Sequence, residues 1–169
     1  MLNGGVTAAR TNLAVGLMAL AASLGSLAPA RVVRAQTVVG PSFQVVVSVS
    51  SRAAARLANP RETVVVDVEF YGVPISVKLR MADEGRLDLA PEQKIELAGA
   101  GVARFAGPKI DAAKLKSVQG GKLEVAIEGY SGRHSSPDNL LICDSGDDIA
   151  LQAAAAKSVQ MRCKLIAEP

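Results

Sequence analysis

Aromatic side chains are scarce in this chain. It has no tryptophan, and rings occur only at Phe43, Phe70, Tyr71, Phe105 and Tyr130. Sugar binding and single-stranded nucleic-acid binding rely on stacking platforms, so this composition argues against both. The core must instead be built from Val, Leu, Ile and Ala. Histidine occurs once, at His134, and cysteine twice, at Cys143 and Cys163. These are too few ligands for a zinc site of His and Cys alone. Cys-x-x-Cys spacing is absent, and with it the usual redox pair. There is no Gly-x-Ser-x-Gly elbow. Gly99-Ala100-Gly101 and Gly120-Gly121 fit neither the dinucleotide-binding nor the P-loop pattern. No cofactor is implied, and the expectation is that the protein is not an enzyme.

The N-terminal segment is informative by contrast. Arg10 precedes an uncharged stretch from Thr11 to Ala30, with an apolar run from Leu13 to Ala22. Small residues follow, ending in Ala28-Pro29-Ala30 and Val33-Arg34-Ala35. A basic start, a short apolar run and a small-x-Ala exit predict a secretory signal peptide over residues 1–35. Cleavage after Ala35 would leave Gln36 first; cleavage after Ala30 would leave Arg31. The alternative is an uncleaved anchor. The uncharged window has about the length that spans a bilayer, but it is rich in Ala, Gly and Ser. Arg31 and Arg34 on its far side also oppose the positive-inside orientation. The expected location is the periplasm or the cell exterior, with N-terminal membrane anchoring as the alternative.

Removing this segment changes the charge balance. Arg10, Arg31 and Arg34 are three of 19 basic residues, which leaves 16 against 16 acidic ones. Residues 36–169 are then close to neutral and offer no electrostatic case for nucleic acid or an anionic membrane. Their length suits one domain with one core.

Residues 36–169 read as strands joined by turns. Phe43–Ser50 alternates Phe43, Val45, Val47 and Val49 with Gln44, Val46, Ser48 and Ser50, the period of a half-buried strand. Thr63–Phe70 repeats the device. Tyr71-Gly72-Val73-Pro74 then reads as a turn into Ile75–Arg80, which predicts a hairpin. Shorter strands are predicted at Arg86–Leu89 and Lys94–Leu97, on either side of Pro91, and at Val102–Phe105. Further strands are predicted at Lys122–Glu128, Asn139–Cys143 and Ser158–Leu165. Short helices are expected over Arg52–Ala58 behind Ser51, Ala112–Val118 behind Asp111, and Asp148–Ala156 behind Asp147. The pattern is all-β with short connecting helices. It predicts a two-sheet antiparallel β-sandwich, immunoglobulin-like in general architecture, with a small open β-barrel as the alternative.

Three groups of residues carry candidate chemistry. Cys143 and Cys163 form an even pair in an exported chain, which predicts a disulfide. The polar segment 130–139 offers Tyr130, Arg133, His134 and Asn139 as a candidate binding loop. Ser131, Ser135 and Ser136 beside His134 would support nucleophilic catalysis only with the correct base and acid geometry. Asp144, Asp147 and Asp148 are a candidate calcium set, although the EF-hand spacing is missing. A helix N-terminus accounts for Asp147 and Asp148 more simply. The expected function is an exported non-catalytic interaction or structural module: an envelope accessory subunit, an adhesin-like domain or an assembly component. Its partner would be another envelope or extracellular protein. The alternatives are a small-ligand or calcium-binding β domain, and a hydrolase using the 130–139 loop.

Overall fold

Period-two alternation gives each long strand one buried face. In the computed structural model, which describes residues 36–58, 61–76, 85–144 and 146–168, strand β2 (Phe43–Val49) buries Phe43, Val45 and Val47. Strand β3 (Val64–Gly72) buries Val64, Val66, Val68 and Phe70. Strand β7 (Glu124–Ser131) contributes Val125 and Ile127, and β10 (Val159–Leu165) contributes Met161 and Cys163. Strands β4 (Leu87–Leu97), β5 (Gly101–Phe105), β8 (Leu141–Cys143) and β9 (Gly146–Ala150) complete two four-stranded sheets. Their orders are β5-β2-β10-β8 and β4-β3-β7-β9, and neither closes into a barrel. Two short strands, β1 (Thr37–Val39) and β6 (Lys109–Asp111), pair beside them. The fold is therefore an all-β sandwich with short helices.

All neighbouring strands are antiparallel except β2 and β10, which run parallel with Val45 opposite Val159. The few aromatics are used economically. Phe43 stacks on Phe105 at 5.2 Å and meets Phe70 edge-on at 6.4 Å, so all three phenylalanines join one cluster between the sheets. Helix α1 (Ser51–Ala58) covers this core with Ala53 and Leu57; α3 (Leu151–Ala156) does so with Leu151 and Ala154. Helix α2 (Ala112–Lys116) is capped as expected, because Asp111 accepts the Ala113 N–H at 2.8 Å. The cap of α1 lies one residue earlier than expected: Ser50 Oγ accepts the Ala53 N–H.

Three local expectations are corrected. Strand β3 continues through Tyr71 and Gly72, and its partner on that side is β4, not a strand beginning at Ile75. Ile75 is exposed and its N–H donates to the Ser117 carbonyl. Val77–Arg80, the rest of that predicted strand, falls outside the described residues, as does the 1–35 segment. Pro91 does not divide two strands but sits inside β4. Between Val68 and Phe70 the pairing register shifts, so Pro91 and Glu92 together oppose Glu69 in a bulge. An edge strand tolerates proline there, because no ladder hydrogen bond is lost. Asp147 caps no helix. Asp147 and Asp148 belong to β9, and α3 begins only at Leu151, behind Ala150, with no side-chain cap. Among the described residues, no helix is long and apolar enough to cross a membrane.

Candidate functional site

The segment after β7 is tied down at its neck by Ser131 and Asn139. Asn139 Oδ1 accepts the N–H groups of Ser131 (2.9 Å) and Leu141 (3.1 Å), and its Nδ2 donates to the Leu141 carbonyl. The buried Ser131 hydroxyl accepts the Leu140 N–H. Asn139 is thus engaged in holding the loop.

The middle of the loop is held by a residue that the sequence did not single out. Glu62 is 1 % exposed. Its Oε1 accepts the His134 N–H at 2.9 Å, and its Oε2 accepts both the N–H (2.9 Å) and the hydroxyl (2.7 Å) of Ser135. Burial on its own would raise the pKa of this carboxyl. The bonds from His134, Ser135 and Thr63 outweigh it and hold the group down at about 2. A buried charge is tolerated only when hydrogen-bonded in this way. Arg61 and Arg133, next in sequence to Glu62 and His134, both adopt left-handed backbone (φ 66° and 60°), and both are exposed.

Glu96, on the outward side of β4, takes both the Thr63 hydroxyl and His134 Nε2 on one oxygen, Oε1. The carboxylate therefore lies between hydroxyl and imidazole. Nucleophilic catalysis needs the imidazole in the middle, accepting the hydroxyl proton and braced by the acid. Ser135 donates to Glu62 instead, and Ser136 Oγ accepts the Asp138 N–H. Glu96 favours the charged imidazole and raises the His134 pKa. Its own pKa is lowered, first by the Thr63 hydroxyl and then by His134.

Tyr130 lies on the same outward face. Pairing aligns Glu96, Val65 and Tyr130 in one row across β4, β3 and β7. The next row carries Lys94, Asp67 and Glu128. Tyr130 Oη donates to Asp67 Oδ2 and accepts from Lys94 Nζ, both at 3.2 Å. The Lys94 ammonium reaches Asp67 at 2.8 Å and stands 5.8 Å from the Tyr130 ring centre. The bonds to Asp67, Glu92 and Tyr130 push the Lys94 pKa upward. Tyr130 and His134 thus contact β4 at outward positions two residues apart, Lys94 and Glu96. Two of the four candidate loop residues therefore meet at one corner, and exposed Arg133 precedes His134 in sequence.

The acidic trio does not gather. Asp144 pairs with Arg162 at 3.6 Å. Asp147 and Asp148 face Arg86, at 4.0 and 3.5 Å. Asp148 also accepts the Tyr71 hydroxyl at 2.7 Å and returns its N–H to the same oxygen at 2.8 Å. The buried Tyr71 hydroxyl is pushed up to about 12, by burial first and then by its bond to Asp148. Among the described residues, no three His, Cys, Asp or Glu side chains converge as a metal site would require. Cys143 and Cys163 stand directly opposite on β8 and β10 and are joined as a disulfide. The chain matches no known protein-family model, and no curated protein or solved structure is significantly similar to it.

Proposed function

We propose that this protein is an exported, non-catalytic interaction module, and that it engages an envelope or extracellular partner through the corner formed by Tyr130, Arg133 and His134. The observation that carries this reading is that Tyr130 and His134 contact neighbouring outward residues of one strand, Lys94 and Glu96 of β4. A half-buried tyrosine flanked by an exposed arginine and an exposed imidazole is the composition that protein interfaces favour. Glu62 supports the reading by fixing the loop from beneath, so that little order need be gained on binding. The carboxylate between Thr63 and His134 speaks against a hydrolase. The disulfide, and the lack of any membrane-spanning helix among the described residues, are compatible with export.

Replacing Tyr130, Arg133 and His134 together with Ala tests the reading. The triple variant should melt within a few degrees of the parent and lose partners recovered by cross-linking in the native host. Intact folding with undiminished capture would remove the corner from consideration. Substrate turnover abolished by His134→Ala alone would overturn the non-catalytic reading.

A further inference from the structure

Beyond that corner, the two outer faces of the sandwich carry opposite charge. On the β4-β3-β7-β9 sheet, Asp67, Glu69, Glu92, Glu96 and Glu128 outnumber the cations: Lys94 lies among them, His134 against Glu96, and Arg86 against Asp147 and Asp148 of β9. Crowding on this face is evident at Glu69, whose carboxyl is pushed up by burial and then by Asp67, Glu92, Glu128 and Asp88. On the other sheet the outward positions include Arg104 on β5 and Arg162 and Lys164 on β10; Asp144 pairs with Arg162, and Glu168 lies near Lys164. The Arg162 side chain is 82 % exposed, and Ile142, opposite Lys164, is 54 % exposed. Because residues 36–169 hold 16 basic and 16 acidic side chains, this segregation is not a by-product of net charge.

We propose that the cationic face of the β5-β2-β10-β8 sheet docks the acidic β4-β3-β7-β9 face of a second copy of this chain, so that copies stack front to back. The two faces are different surfaces, so the contact is heterologous and leaves an open face at each end of a stack. Four strands about 4.8 Å apart, three to seven residues long in the cationic sheet, present at most about 450 Å² per copy. About 900 Å² in total lies below the 1,200 Å² or so of stable interfaces. Stacking is therefore weak, dependent on concentration and sensitive to salt.

Sedimentation velocity on the full-length chain, purified in the form its host leaves it, tests this. At low salt the sedimentation coefficient should rise with concentration, and salt near 1 M should weaken association by about tenfold or more. The variant Arg104→Glu/Arg162→Glu makes both faces acidic; Glu69→Lys/Glu128→Lys cancels the net negative charge of the acidic face. Each, shown folded by circular dichroism, should sediment as a monomer, and mixing the two should restore association. A wild-type chain that stays monomeric at every concentration in low salt overturns the proposal. So does association that survives either charge reversal, or a mixture of folded variants that fails to associate. Tyr130, Arg133 and His134 are intact in both variants, so loss of stacking and loss of partner capture are separable.

Discussion

Gly129 of β7 lies against Cys143 of β8, in the opposite sheet. A Cβ at residue 129 would stand 2.8 Å from both Cβ and Sγ of Cys143, and 2.7 Å from the Met161 sulfur. The disulfide fills the space a side chain would take. Gly129→Ala should therefore cost about 1–3 kcal/mol, the usual penalty for overpacking a closed core. Urea unfolding of the oxidised protein measures it, and an unchanged midpoint would show that the sheets part freely there.

The disulfide closes a segment with a sequence separation of 20 residues. Intact protein should weigh two hydrogens less than the reduced chain. Cys163→Ser should lower stability by roughly 2–5 kcal/mol. Two free thiols in exported material would contradict the bond.

Glu62 makes the fold sensitive to acid. Its folded pKa of about 2 lies below the ordinary 4.5. A depressed carboxyl stabilises the fold above its unfolded pKa, and that contribution is lost as pH falls from about 4.5 through about 2. Glu62→Gln sets an amide donor against the donors of the loop and cannot ionise. The variant should be less stable at neutral pH and show a flatter decline across that window. Parallel stability profiles for parent and variant would refute the assignment.

Tyr71→Phe keeps the ring beneath Arg86, 4.3 Å from its guanidinium carbon, and removes the oxygen shared with Asp148. The expected cost is about 1–2 kcal/mol. Hydrogen exchange at the Asp148 amide should rise sharply, because that N–H loses its acceptor, the Tyr71 oxygen on β3. Protection equal to the parent's would place the anchor of β9 elsewhere.

The strands that alternate cleanly were legible: β2, β7 and β10 follow the pattern of Val, Ile and Met against polar residues because each lines the core on one side only. Phe43, Phe70 and Phe105 were bound to be core in a chain so poor in rings, although nothing in the sequence says that they meet. Reading failed where tertiary pairing overrode local signals. Acids ahead of Leu151 resemble a helix start, yet Asp148 is held in β9 by Tyr71, 77 residues away. Pro91 resembles a break, but an edge strand can carry it in a bulge. Glu62 had no signature at all. A lone acid before a strand looks solvated until the loop 72 residues later folds over it.

Strand β10 has a consequence for the order of assembly. Among the described residues it follows every other strand in sequence, and it lies between β2 and β8, bonded to both. Without Val159–Leu165, β8 has no neighbour and β2 keeps only β5. A chain still emerging from a ribosome cannot complete this sheet until Val159–Leu165 arrive. Pairing Val45 with Val159 also demands closure of a long loop before any reward, which slows folding. Strand β10 thus acts as a late closure: the β4-β3-β7-β9 sheet has all its strands before Val159 is reached, whereas the β5-β2-β10-β8 sheet waits for it.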